Sequence, residues 1–418
     1  MCELKGACLI GQSGGPTAVI NASAYGVIKT ALENKCITKV LAARHGIRGV
    51  LDDDILDMGK EDKDELKLMM STPASLIRSC RYKLKPVEED ETDYKRILEI
   101  FKKYNIRYFF YNGGNDSMDT CNKISKYLQT QNYECRVIGI PKTVDNDLYC
   151  TDHCPGYGSA AKYIAYSTAE VIKDVHVYDK EAIVIIEAMG RHAGWLAGAA
   201  CLAKLSCEGP ALVYLPEIDF DMNQFFEDLE NARKKHKRIV IVMSEGIHDK
   251  YGKFISEYGV NDTNIVDSFG HSQLGGLAQT MANIIRNRTG AKVRGIELSL
   301  LQRCAGHLAS KTDRDEAFLA GKAAVEAAVA GETDKMVSFV RNTENGYECT
   351  TRLVNLSDVA NVEKCVPREW INEEGNNVND KFMEYVLPLI QGNVELEYNN
   401  GMPRYAYLER YKAEPEEN

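Results

Sequence analysis

Arg136-Val137-Ile138-Gly139-Ile140-Pro141-Lys142-Thr143-Val144-Asp145-Asn146-Asp147 is the stretch that decides the architecture. The apolar run Arg136–Ile140 has the length and composition of a buried strand, and Pro141 ends it. An ammonium group, a threonine hydroxyl and two carboxylates therefore stand at a strand's C-terminal end, which is where ligands bind in open α/β sheets. That mixture suits phosphate chemistry: a cation for the anion, one carboxylate to take a proton, another to help hold a metal. A solvated turn rich in Asp and Asn has the same composition, so the surrounding chain must decide between the two.

Outward from this stretch, strands and helices alternate. Strands are expected at Ala7–Gly11, Ile37–Ala43, Arg107–Tyr111, Arg136–Ile140, Ala182–Glu187, Ala211–Tyr214, Arg238–Val242 and Arg294–Leu298. Helices are expected at Pro16–Leu32, Tyr94–Tyr104, Asp119–Leu128, Ala193–Leu205 and Leu274–Arg286. This rhythm argues for an α/β protein built on doubly wound, mainly parallel sheets. Asn372–Asp380 reads as a polar loop and Ala413–Asn418 as a frayed acidic tail.

At 418 residues the chain calls for two domains. Its 44% hydrophobic and 27% charged residues fit a globular protein with a real core. The opening residues carry no secretory pattern, and no stretch reaches the roughly 18 apolar residues of a membrane span. Thirteen cysteines, without a Cys-x-x-Cys pair, favour free thiols in a reducing cytoplasm. A formal charge of −10 argues against a nucleic-acid partner. It leaves anionic substrates open, because Arg78, Arg81, Lys142, Arg191, Arg303, Lys311 and Arg314 could focus a local positive field.

Four further constellations carry chemistry. Gly11-Gln12-Ser13-Gly14-Gly15-Pro16 follows the first strand, where glycines let backbone N–H groups approach a phosphate. It matches neither the dinucleotide fingerprint nor the P-loop. Tyr111-Asn112-Gly113-Gly114-Asn115-Asp116-Ser117 repeats the strand–glycine–helix arrangement, bringing two such turns to one sheet edge. Met189-Gly190-Arg191-His192 follows a strand of a second sheet, with His192 read as a helix-start residue without a catalytic part. Ser244-Glu245-Gly246, Gln302-Arg303 and Asp313-Arg314 offer a carboxylate for sugar hydroxyls and two guanidinium forks for a phosphate ester. Cys150, His153 and Cys154 are three soft ligands close together, but a zinc site wants a fourth ligand and paired spacing.

Taken in this order, from Gly11 to Arg314, these motifs resemble the phosphofructokinase family. The resemblance implies two α/β domains with the active site in the cleft between them. One, residues 1–148 with about 305–395, would bind diphosphate; the other, 149–304 with the C-terminal tail, would bind the sugar phosphate. It implies phosphoryl transfer to the 1-hydroxyl of fructose 6-phosphate, with Asp145 as base and Thr143, Lys142 and Arg191 as catalytic partners. Gly14, Gly15, Arg81, Asn115, Asp116, Ser117 and Lys142 would hold the donor. Thr143, Asp145, Met189, Gly190, Arg191, Glu245, Arg303 and Arg314 would hold the sugar phosphate. Asn115, at the family's usual aspartate position, and Asp147 would serve Mg²⁺. The resemblance also implies a homo-oligomer, dimer or tetramer, although an arginine that many relatives lend across a subunit interface is Ala182 here. The spacing from Arg303 to Arg314 is longer than in short bacterial relatives, which brings His307 and Lys311 into question for the sugar-phosphate pocket.

Lys142 and Asp116 speak to the donor. ATP-using relatives commonly carry glycine at both positions, leaving room for the nucleotide's α-phosphate. An Asp116 carboxylate would crowd and repel it: two unit charges about 4 Å apart interact by roughly 4 kcal/mol at an effective dielectric of about 20. Diphosphate-using relatives resemble this chain at both positions, so diphosphate is the expected donor and the reaction is expected to be readily reversible. The alternatives are an ATP-dependent phosphofructokinase and a non-catalytic regulatory paralogue; a dinucleotide-dependent oxidoreductase lacks its glycine spacing.

Overall fold

A computed structural model describes residues 4–177, 179–259 and 276–416. Two sheets organise the chain. The first comprises β1 (Gly6–Ser13), β2 (Ile37–Ala43), β3 (Ile55–Asp57), β4 (Ser79–Cys80), β5 (Ile106–Gly113) and β6 (Arg136–Pro141). The second comprises β7 (Ala182–Ala188), β8 (Leu212–Tyr214), β9 (Arg238–Ser244) and β10 (Val293–Glu297). The chain then returns to the first sheet with β11 (Lys335–Asn342) and β12 (Glu348–Asn355).

The first sheet runs β12-β11-β6-β5-β1-β2-β3, with β4 beside the end of β1. All its pairings are parallel except β11–β12 and β2–β3 at the two edges. The second sheet, β10-β7-β9-β8, is wholly parallel. Helices cover both faces, which is why Cys8-Leu9-Ile10 and Ile183-Val184-Ile185-Ile186 are buried without alternation. The fold is therefore α/β with two doubly wound, mainly parallel sheets.

Several details differ from expectation for local reasons. The first helix opens at Ile20, not Pro16. Gly14 has φ +72° and the Thr17 carbonyl accepts from Ala74 N, so residues 14–19 form an open turn. The expected helix at Asp119 begins earlier, at Asn115, immediately behind the second glycine turn. The expected start at Leu274 lies outside the described residues, and the helix there spans Leu277–Thr289. The described cysteines are free thiols except Cys36, which is disulfide-bonded.

The C-terminal third distributes itself differently from the expected domain ranges. Val366, Ile371, Val378, Phe382, Tyr385 and Leu389 join the core of the second sheet around Trp195 and Leu196, drawn there by a shared aromatic cluster. The last segment crosses back to the first sheet. Ala406 N donates to Thr72 Oγ1 (2.8 Å), Glu409 N and Arg410 N to Glu61, and Lys412 pairs with Asp54. The tail at 413–416 is tied down rather than frayed: Ala413 N bonds Ile55 O, Glu416 N bonds Lys103 O, and Glu414 pairs with Lys60 at 2.9 Å.

Candidate active site

The two glycine turns and the loop after β6 stand side by side because β1, β5 and β6 are parallel neighbours. They enclose a cavity of about 190 Å³ lined by Gly14, Gly15, Arg81, Gly114, Asn115, Asp116, Ser117, Lys142, Thr143 and Asp145. Every residue expected to hold the donor thus lies on this cavity. Its volume is below the roughly 300–1,000 Å³ of clefts that take drug-sized ligands. The helix Asn115–Thr130 starts at its wall, so the positive end of the helix faces an anion there.

Charge is concentrated in the cavity. The Lys142 ammonium is buried, donates to Gly15 O (2.7 Å) and would lie 3.4 Å from a Cβ placed on Gly14. Burial pulls its pKa down to about 8, with Asp145 opposing and Arg303 assisting. An Arg303 guanidinium nitrogen would lie 2.9 Å from a Cβ on Gly15, so this turn cannot carry a side chain without displacing the arginine. Asp116 faces Lys83 across 3.9 Å.

The Asp145 loop is fixed by its own residues. Asn146, at φ +55°, donates to Tyr385 Oη (2.8 Å) and accepts from Cys154 N (2.9 Å), while Thr143 Oγ1 accepts from Asp145 N (3.1 Å). Burial raises the Asp145 carboxyl to about 7, and neighbouring Asp147 adds to the shift against Lys142, Arg303 and Arg191. Asp147 is raised too, again by burial, while its bond to Thr143 pulls the other way. Its Oδ1 is buried with no hydrogen-bond partner among the described residues. A buried carboxylate oxygen without a donor is the kind of atom a hard cation satisfies, so this loop fits Mg²⁺.

Asn115 fits it less well. Hydrogen bonding orients its amide nitrogen toward Val359 O and Val362 O, each 3.2 Å away. The side chain is engaged with the C-terminal segment, which leaves Asp147 as the better-placed of the two expected metal residues.

From the second sheet, the loops after β7 and β9 are laced together. Ser244 Oγ donates to Gly190 O (2.5 Å), Gly246 N to Gly190 O (3.2 Å) and Glu245 N to Ala188 O (2.8 Å). Gly190 has φ +132°, where a Cβ would meet Ala193 O at 2.5 Å, so only glycine serves. Glu245 is raised to about 7 by burial and by Asp145. Arg191 and Arg303 both act on Asp145. Groups from both sheets therefore share one electrostatic site. Gln302, which sequence reasoning left without a role, holds this side: its Oε1 accepts from Met189 N (3.1 Å).

Arg314 is not brought here. It lines a separate cavity with Asp64, Met70, Ser71, Glu395 and Arg404, and its guanidinium bonds Asp315 at 2.7 Å. The reason is helical phase. Asp313 is buried, accepting from Gly156 N and Ser159 N, and the next residue projects about 100° further round. Lys311 is likewise paired with Asp315, at 2.6 Å, and His307 is exposed. His192 is no helix-start residue; its Nδ1 meets Glu363 at 2.9 Å.

Cys150 and Cys154 flank a histidine with other partners. His153 is buried between two carboxylates, Nδ1 to Asp152 (2.8 Å) and Nε2 to Glu316 (2.7 Å). Glu316, His153 and Cys349 place their polar atoms within 4.8 Å of one another, but Tyr347 Oη also bonds Glu316, and Arg341 bonds Asp152. Two anions and two cations balance there, and the imidazole nitrogens are already taken.

A model of the phosphofructokinase family matches residues 7–328. Over 408 residues the chain is 44% identical to a Halomonas elongata protein named pyrophosphate–fructose 6-phosphate 1-phosphotransferase, covering 96% of each. Crystal structures of pyrophosphate-dependent phosphofructokinases from Nitrosospira multiformis and Marinobacter aquaeolei superpose with TM-scores of 0.88, at 39% and 38% identity, over 99% of each chain.

Proposed function

The chain belongs to the phosphofructokinase family, and from that premise we propose that it transfers a phosphoryl group reversibly from diphosphate to the 1-hydroxyl of fructose 6-phosphate. The products are fructose 1,6-bisphosphate and phosphate. The observation that carries the choice of donor is the cavity itself: small, cationic through Lys142 and Arg81, and lined by the Asp116 carboxylate, which would crowd and repel a nucleotide α-phosphate.

The chemistry follows from the residues. Asp145 accepts the proton of the sugar's 1-hydroxyl as its oxygen attacks phosphorus, and the phosphoanhydride bond breaks with phosphate leaving. A carboxyl near 7 is matched to that task, because general bases work best close to the operating pH. Lys142, Arg81, Arg303 and the start of the helix at Asn115 neutralise the donor, and Thr143 orients the reacting groups. Met189, Gly190, Arg191, Glu245 and Arg303 hold the sugar phosphate. Positioning and charge neutralisation are most of what phosphoryl transfer requires. Asp147 would hold Mg²⁺, which supplies positive charge to the diphosphate oxygens when bound. Cys80, Cys304 and Cys365 are free thiols, as a reducing cytoplasm would keep them, with the Cys36 disulfide the exception.

Initial rates with fructose 6-phosphate and Mg²⁺ test the donor. Turnover with diphosphate and little with ATP is expected; faster turnover with ATP would refute the Asp116 argument. Silence with both donors would favour a non-catalytic paralogue.

The pH profile of kcat/KM tests the site's electrostatics. Asp145 must be ionised, so activity should rise through about pH 7; Lys142 must be protonated, so it should fall through about pH 8. Lys142→Arg should push the falling limb upward, because a guanidinium keeps its proton. The rising limb should survive in Glu245→Gln, since Glu245 also lies near 7.

A further inference from the structure

One short segment beyond the recognisable motifs touches loops of both sheets. Val359 O and Val362 O face the Asn115 amide at 3.2 Å, on the second glycine turn. Glu363 pairs as a β-bridge with Leu148, and Lys364 N donates to Asp147 O (2.8 Å), on the Asp145 loop. The Lys364 ammonium donates further along that loop, to Asp152 O (2.7 Å) and Thr151 O (3.2 Å). On the other side, the Glu363 carboxylate meets His192 Nδ1 at 2.9 and 3.0 Å, next to Arg191. Trp195 Nε1 donates to Lys364 O (2.9 Å), and Val366 N and Gly194 N share the Glu217 carboxylate.

We propose that residues 359–366 are a positioning strap of the active site, setting the distance between the donor-holding loops and the Arg191 loop, with Asn115, Glu363 and Lys364 as its positioning residues. The proposal rests on the functional reading above. It gives the amide at position 115 a structural reason. A carboxylate there would stand about 3.2 Å from two carbonyl oxygens and repel both, whereas an amide donates to them. Glu363 and Lys364 need not touch a reacting atom, and Asn115, which lines the donor cavity, joins the strap through its amide nitrogen. A displacement of the order of 1 Å between donor and acceptor costs about 100-fold in rate, so a link between the two loops has catalytic weight.

Glu363→Ala, Glu363→Gln and Asn115→Asp test it in the full chain. Glu363→Ala should lower kcat about 10- to 100-fold and raise KM for fructose 6-phosphate, with KM for diphosphate and the melting temperature little changed. Glu363→Gln, which can still accept from His192, should recover most of the loss. Asn115→Asp should lose turnover without gaining Mg²⁺ affinity. Wild-type kinetics in Glu363→Ala, or tighter Mg²⁺ binding with retained activity in Asn115→Asp, would overturn the strap. Should the wild-type protein turn over neither donor, the functional reading fails by itself. Amide exchange at residues 147–152, faster in Lys364→Met, would then still support the strap, and unchanged exchange would sink it.

Discussion

Turnover of the Asp145→Ser variant is expected to fall ~10²–10⁴-fold, the scale on which a positioned general base contributes. Fructose 6-phosphate affinity should change little, since Arg191, Glu245 and Arg303 remain. A second consequence separates this explanation from simple damage. Asp145 is the main group raising the Lys142 pKa against burial. Without it the ammonium should lose its proton at lower pH, and the alkaline limb of the residual activity should move downward. Unchanged turnover in Asp145→Ser would end the base assignment.

The largest expected effect on stability is His153→Leu. In the folded protein burial opposes the imidazolium, but hydrogen bonds to Asp152 and Glu316 outweigh it, and the pKa is raised above 6.5. Removing the cation leaves the buried Glu316 carboxylate without a counter-ion, with Tyr347 its remaining donor, while Asp152 keeps Arg341; breaking such a pair costs about 3–5 kcal/mol. The loss should appear as a lower midpoint of thermal unfolding. His153→Leu/Glu316→Met should recover part of it, because the stranded charge is gone. The pH dependence has a definite sign. A raised folded pKa means that the contribution is complete below the unfolded value near 6.5 and is lost as pH rises through the folded value. The gap between wild type and His153→Leu should therefore narrow toward alkaline pH. A variant that melts with the wild type would show that the network carries no stability.

What could be read from the residues was whatever local chemistry states by itself. Strands such as Ile183–Ile186 announce themselves by unbroken burial, and the turns at Gly14 and Gly114 by glycine directly after a strand. The donor cavity was legible for that reason: its lining comes from three loops that each carry a motif, with Arg81 added from the segment after β4. Arg314 misled because a motif gives spacing but not helical phase, and buried Asp313 sets that phase against a different helix. The strap at 359–366 was invisible, because most of its work is done by backbone carbonyls and amides, which any sequence supplies. The edge strand β12 and its neighbour β11 left a faint trace. Lys335–Asn342 holds the apolar core Met336-Val337, but Glu348–Asn355 alternates around threonines and an arginine with a mostly exposed face.

The return of the chain to its first sheet sets the order of assembly during synthesis. β6 ends at Pro141, yet its neighbour β11 begins at Lys335. Among the described residues the strands of the second sheet, by contrast, have all been made once β10 ends at Glu297. On the ribosome the later-made sheet therefore has all its strands first, while the earlier one waits with the open edge of β6 exposed. An unpaired hydrophobic edge is what nascent-chain chaperones shield and what misassembly exploits. Pausing translation between residues 300 and 335 should lengthen that exposure and raise the aggregated fraction, without altering the protein that does fold.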